Sequence, residues 1–499
     1  MKKNTKTVLG LACVAGALST GRVPAEPAAA SAERPNILFC IADDASMSTF
    51  GAYGGTMVQT PAFDRLAEGG VLFRNAYNCN PKCSPARACL VTGRYSWQLE
   101  EACNHWPRFP EKFSFYPHLL KDAGFHVGYT GKGWAPGVCA GENPAGKAYN
   151  DIKLKPPYSG IRNIDYAANF AAFLNQNPDG RPFCFWLGTS EPHRAYEKGS
   201  WKKAGLRLAD AVVPPFFPDN ETIRGDLLDY AVEVTWFDRH VGRAIGELEQ
   251  RGLLENTLII VTSDHGMPFP RIKGQLYEEG FHVPMVAYWH GVIQPGRVVE
   301  DFVSFPDVAP TFMQAVGLEP HQQMTGKSFL DLLRSPQSGW IDPARDHVLL
   351  GKERHDIGRE NAEGKDLAYP VRAIRTKDFL YAHNMKPDRW PAGNPELGLK
   401  NCDNSPTKSY LTALKPGDPE YHFYAWSFGL RPEEELYQIR KDPHCMVNLA
   451  DNPEYHESMA RLKAQMEAEL VDQNDPRMLG QGDLFDHYPY LGKGGNKRK

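Results

Sequence analysis

Two short apolar runs, each ending in an acidic group, constrain the fold of this chain more than any other feature. Residues 36–42 read Asn-Ile-Leu-Phe-Cys-Ile-Ala and stop at Asp43-Asp44. Residues 257–262 form the second run, which leads through Ser263 into Asp264-His265. A strand that is apolar at successive positions, rather than at every other one, needs cover on both faces, as parallel strands have in α/β sheets. Helix-like stretches lie between the two runs, at 61–69, 115–123, 167–175 and 223–251. Strands alternating with helices imply a mostly parallel sheet covered on both sides. Ligands bind such sheets beyond the carboxyl ends of the strands, where both acidic groups fall.

The first domain is expected to span residues 33–345, with a late helix starting at 307–311 and a linker at 335–343. Residues 346–499, with a strand at 371–383 and a charged amphipathic helix at 455–471, read as a smaller α+β unit. At 499 residues the chain has room for both.

Composition excludes several classes of function. With 42% hydrophobic and 23% charged residues the chain is globular rather than disordered. A net charge of −4, and no long basic run before the tail at 493–499, argues against nucleic-acid binding. Residues 1–32 read as an export signal: Lys2, Lys3 and Lys6 precede an apolar stretch at 8–18, and small residues follow. That stretch is too short to span a membrane, and no other candidate span appears, so a periplasmic or secreted protein is expected. Of the ten cysteines Cys13 lies in this leader, which leaves nine. The odd count means that one is free, intermolecular or chemically converted, and Cys83 is the candidate. The alternative is a disulfide from Cys83 to Cys79, Cys89 or Cys103.

Asp43, Asp44 and Asp264 bring three carboxylates from two strand ends. Such oxygen-rich sites suit hard cations, calcium first and magnesium or manganese second. Cys83 stands ahead of a predicted helix in which Pro85 suits the first turn and Gly93 the stop. Residue 83 would then sit at a helix N-terminus, where anions bind.

The run Cys83-Ser84-Pro85-Ala86-Arg87, followed by Thr92-Gly93, resembles the signature of the type I sulfatases. The resemblance implies an alkaline phosphatase-like fold: a large mixed, mostly parallel sheet between helices, with a smaller C-terminal α+β subdomain. It also implies that Cys83 is converted to formylglycine by a maturation enzyme and serves as nucleophile beside the metal. Asp43, Asp44 and Asp264 would hold that metal, with His265 where the family usually has Asn or Gln. Arg87 would hold the nucleophile, Lys132 and Lys273 would neutralise sulfate oxygens, and His193, within Glu191-Pro192-His193-Arg194, would be the general acid. Gly131-Lys132 matches a family element whose following His is replaced here by Trp134, with His105 as a substitute to consider. Early Thr60-Pro61 and Asp64-Arg65-Leu66 match as well.

The segments Val213–Asn220, Ser263–Pro270 and Glu435-Leu436-Tyr437 resemble the heparan N-sulfatase branch, which is also similar to bacterial sulfatases of algal polysaccharides such as ulvan. The implied substrate is a sulfated glycan. The resemblance places Arg354, His355 and Arg359 near the active-site mouth, and they are expected to bind substrate together with His105 and Trp106. Two other readings stay open: a phosphate or phosphonate ester hydrolase of the same superfamily, and an inactive glycan-binding relative.

Overall fold

The computed structural model describes residues 34–177 and 179–493, so the leader expected at 1–32 lies outside the described residues. In chain order the strands are β1 (Asn36–Ala42), β2 (Val71–Tyr77), β3 (His126–Gly131), β4 (Lys147–Ala148), β5 (Phe183–Gly188), β6 (Thr257–Ser263), β7 (Met285–Tyr288), β8 (Arg297–Ser304), β9 (His347–Lys352), β10 (Val371–Thr376), β11 (Phe379–Asn384) and β12 (Glu434–Gln438). The first eight form one sheet in the order β4-β3-β5-β1-β6-β7-β2-β8. It is mixed and mostly parallel: β7 runs antiparallel to both neighbours, and the other pairs are parallel.

Both apolar runs became central strands, β1 and β6, paired in parallel from Asn36↔Thr257 to Ala42↔Ser263. Every residue of both is buried. Alternation divides their side chains between two cores. Ile37, Phe39, Ile41, Leu258 and Ile260 enter one, and Leu38, Cys40, Ala42, Ile259 and Val261 the other. This two-sided burial is why neither strand shows a polar face. The second core also packs on the long helix Glu221–Gln250, whose first turn is capped by Asn220 accepting from the Thr222 and Ile223 amides.

The strands β9 to β12 form an antiparallel sheet in the order β12-β11-β10-β9, against which the helix His456–Asp472 packs. Residues 371–383 are a hairpin, β10 and β11, and not the single strand expected. Thr376 starts the turn, its hydroxyl oxygen accepting from the Phe379 amide, and Lys377-Asp378 form its tip. Both sheets belong to one compact unit from Arg34 onward. Among the described residues no helix is long and apolar enough to cross a membrane.

Candidate active site

Parallel pairing of β1 and β6 sets their carboxyl ends side by side, so Asp43 and Asp264 meet without any long loop. Asp44 is next in sequence to Asp43, and an extended chain would turn it the opposite way. Instead it takes a left-handed φ of 76°, a conformation Asp tolerates better than most residues. Its amide donates to Asp264 Oδ1 at 3.0 Å, which locks the turn. Asp43 is 2% exposed, and Asp44, Asp264 and His265 are fully buried.

The helix Cys83–Thr92 is buried at every position and ends on Gly93, which at φ 67° donates its amide to the Cys89 carbonyl. Its first residue, Cys83, points its sulfur at the strand ends, 3.3 Å from His265 Nε2 and 4.0 Å from Asp44 Oδ1. Cys79 and Cys89 face each other instead, with sulfurs 3.2 Å apart. One turn along, Arg87 ties three elements together. Its Nε donates to Asp264 Oδ2 (2.9 Å), Nη1 to the Lys132 and Gly133 carbonyls (2.8 and 3.1 Å), and Nη2 to Asp43 Oδ1 (3.4 Å).

Two lysines complete this inner shell. Lys132, just past β3, places Nζ 2.6 Å from both oxygens of Asp43. Lys273 places Nζ 2.6 Å from Asp44 Oδ2 and 3.0 Å from Asp403 Oδ2. The carboxylates of Asp43, Asp44 and Asp264 thus face the cations of Arg87, Lys132 and Lys273. Burial alone would push the Asp264 carboxyl up, but His265 and Arg87 outweigh it and hold it below its usual value. Burial would likewise lower His265, yet Asp264 and Asp44 lift it to about 9.

The residues fit a hard divalent cation. Ligand atoms of Asp44, Cys83 and His265 lie within 4.8 Å of one another, as do those of Asp43, Cys83 and Asp264. His265 donates Nδ1–H to the Gly266 carbonyl (3.0 Å), which turns Nε2 toward the cluster. The donor set is therefore three carboxylates, one imidazole nitrogen and the side chain of residue 83.

Asp43 and Cys83 form the floor of a cavity of about 800 Å³ lined also by Lys132, His193, Lys273, His105 and Trp106, while Asp44, Asp264 and His265 are fully buried beside them. His193 is 34% exposed, with Nε2 3.9 Å from Asp44 Oδ2. Its Nδ1 meets the Arg194 carbonyl at 2.7 Å. Arg194 is fixed by a two-pronged pair with Asp226 (2.7 and 2.8 Å). Trp134 lines the cavity with its indole N–H committed to the Ser84 carbonyl (3.1 Å), so this position offers packing and no proton transfer. His105 also lines the cavity, held through Nδ1 by Asp356 (2.8 Å).

Three of the residues expected at the mouth lie elsewhere. Arg359 is buried and donates to the Trp390, Leu367 and Pro391 carbonyls and to Asn401. Arg354 reaches the Tyr488 and Pro489 carbonyls. His355 Nε2 meets Asn80 Oδ1 at 2.8 Å. None of the three lines the cavity; the polar loop folds its charges inward to satisfy carbonyls that would otherwise be orphaned. Conversely, Lys82, Asp356 and Asp403 do line the cavity, although no motif pointed to them. Lys82 could have been suspected from its place beside Cys83, but Asp356 and Asp403 come from irregular loops without a pattern.

Residues 35–318, more than half of the chain, match the sulfatase family model. A Formosa agariphila ulvan-active sulfatase is 27% identical, over 91% of this chain and 78% of its own length. Human N-sulphoglucosamine sulphohydrolase is 28% identical, over 88% and 91%. Among solved structures, an enzyme in complex with its substrate D-glucosamine-2-N,6-O-disulfate superposes with a TM-score of 0.65 at 19% identity, covering 89% of this chain and 99% of that one. The phosphonate monoester hydrolase of Agrobacterium radiobacter shares the fold too, with a TM-score of 0.61 at 18% identity over 88% and 96%. The fold alone is thus common to sulfur and phosphorus chemistry, and it is the sequence match that separates them: the chain belongs to the sulfatase family and is a sulfuric ester hydrolase.

Proposed function

We propose that this enzyme releases sulfate from a sulfated saccharide, with residue 83 converted to formylglycine and a calcium ion held by Asp43, Asp44, Asp264 and His265. The observation that carries this reading is that Cys83, Asp43, Lys132, Lys273 and His193 line one cavity, with ligand atoms of Asp44, Asp264 and His265 buried within 4.8 Å of the Cys83 sulfur. The relatives that act on sulfated glycans, by name, support the substrate class. Formylglycine would supply an oxygen nucleophile and calcium the positive charge that activates it.

The chain's own residues account for the rest. In the inner shell the three carboxylates and three cations offset each other, so a bound divalent cation would leave it with excess positive charge, matched to an anionic ester. Lys132 and Lys273 neutralise the sulfuryl oxygens as charge builds in the transition state. Arg87, bonded at both strand ends and to the turn after β3, keeps the nucleophile's helix in register with the metal ligands. His193, protonated on Nε2, donates to the leaving oxygen, and its bond to the Arg194 carbonyl fixes the ring's orientation. A maturation enzyme acting on Cys83, and export by way of residues 1–32, complete the reading.

The test pairs N-sulfated glucosamine oligosaccharides with ulvan oligosaccharides, after the mass of the peptide containing residue 83 has established conversion. Sulfate should be released from at least one, and Cys83→Ala should lose all release while melting like the parent. An active Cys83→Ala enzyme would refute the nucleophile.

A further inference from the structure

The cavity wall above the sulfate-binding floor contains a carboxylate that the proposed mechanism does not use. Asp403, on the loop before the helix Pro406–Ala413, lines the cavity and is 27% exposed. One oxygen, Oδ2, is paired with Lys273 Nζ at 3.0 Å. No protein group among the described residues donates to the other, Oδ1, although the carboxylate is charged at working pH. Burial would push it up, but Lys273, Lys82 and His193 hold it far below the usual carboxylate range.

Its position defines what it can touch. Lys273 and His193 both approach Asp44 Oδ2, at 2.6 and 3.9 Å, and both line the cavity, so a sulfate held by Lys273 would present its leaving oxygen near His193. Asp403 shares Lys273 Nζ with Asp44 and is close enough to His193 to feel its charge, so it borders this same part of the cavity. A sugar attached through that leaving oxygen would bring the substituent on its neighbouring carbon against Oδ1. An unpaired carboxylate oxygen accepts from a hydroxyl and repels a second sulfate. The adjoining wall has no such opening, because Asp356 is engaged by Lys82 (2.8 Å), His105 (2.8 Å) and Tyr490 (3.1 Å).

We propose that Asp403 determines specificity: its carboxylate accepts a hydrogen bond from a free hydroxyl on the carbon next to the sulfated one, and excludes sugars already sulfated there. This rests on the reading of the enzyme as a saccharide sulfatase. It assigns the enzyme to residues with an unmodified neighbouring position, so a vicinal sulfate has to be removed by another sulfatase first.

The experiment uses the formylglycine-bearing enzyme and methyl pyranosides sulfated at the accepted position. The neighbouring carbon carries a hydroxyl, a hydrogen or a second sulfate. In the wild type, kcat/KM should fall roughly 10- to 100-fold from hydroxyl to hydrogen, the loss of one hydrogen bond to a charged group, and further for the vicinal disulfate. In Asp403→Asn and Asp403→Ser the three substrates should converge to within a few-fold, with the disulfate gaining relative to the others. A role exercised only through Lys273 would lower all three by one common factor, and that result overturns the proposal. So does a wild type that treats the three substrates alike, a measurement that stands even if both variants fail to fold. Release from no saccharide at all, by an enzyme shown to be converted at residue 83, overturns instead the functional reading beneath it, and the proposal falls with it.

Discussion

Asp264→Asn isolates the contribution of one carboxylate to both the fold and the proposed metal site, without touching the signature around residue 83. The substitution keeps shape, and Asn Oδ1 can still accept from the Asp44 amide, now 3.0 Å from Asp264 Oδ1. The second oxygen becomes an NH2 group facing Arg87 Nε–H, 2.9 Å away. Two donors then oppose each other in a fully buried position, and the one carboxylate contact left to Arg87 is the longer one to Asp43 at 3.4 Å. Removing one partner of a buried pair costs about 3–5 kcal/mol. Weaker repulsion among the remaining carboxylates offsets part of this, so we expect about 3 kcal/mol in metal-free protein. An unfolding entropy of about 2 cal/mol/K per residue, over 499 residues, makes 1 kcal/mol worth about 1 °C. In chelator the variant should therefore melt about 3 °C below the parent. Added calcium should widen the gap, because it stabilises in proportion to the logarithm of its occupancy and the variant has lost a ligand. Scanning fluorimetry across a calcium titration reads both effects. Melting within 1 °C of the parent in chelator, or an equal calcium shift in both proteins, would refute the coupling of Arg87, Asp264 and the metal.

Two further predictions use different readouts. His193→Gln should slow release from saccharide sulfates by roughly 10²- to 10⁴-fold, and much less for an aryl sulfate whose leaving group needs no proton; an equal loss on both would remove its role as acid. Glu233→Gln should stabilise the protein. Burial, with Glu191 adding to it, lifts the buried Glu233 carboxyl from 4.5 to about 9. A raised acid contributes stability that is complete below pH 4.5 and is lost as pH rises toward 9, so at pH 7 the variant should gain about 3 kcal/mol. Chemical denaturation at pH 4.5, 7 and 9 checks this, and a gain that does not grow between pH 4.5 and 9 would contradict it.

What could be read from the sequence depended on whether a residue's neighbours were local or distant. β1 and β6 were legible because two-faced burial leaves an apolar run with no polar interruption. The helix at Cys83 was legible because Pro85 and Gly93 act within one or two turns. The hairpin at 371–384 was missed because Lys377-Asp378 is too short a break to stand out in an apolar stretch; only pairing with β9 and β12 resolves it. The residues above the cavity floor were harder still. Arg354, His355 and Arg359 look like a solvated, substrate-reading loop, but a polar sequence cannot say whether its groups face water, ligand or its own carbonyls. Here three of the four groups bonded to the Arg359 guanidinium are carbonyls.

Trp134 shows how far a missing residue can be interpreted. The resemblance implied a His there, and a polar substitute at the same position would have kept a proton-transferring group local. Instead the indole packs edge-to-face on Phe109, 4.9 Å between ring centres, and bonds the Ser84 carbonyl at the start of the helix Cys83–Thr92. The substitution therefore exchanges a proton-transferring side chain for one that braces residue 83. His265 Nε2 does lie 3.3 Å from the Cys83 sulfur, whereas the Nδ1 of His105 is committed to Asp356. Two departures from the family pattern, Trp134 for His and His265 for Asn or Gln, thus both meet the start of the helix Cys83–Thr92, Trp134 at the Ser84 carbonyl and His265 at the Cys83 sulfur.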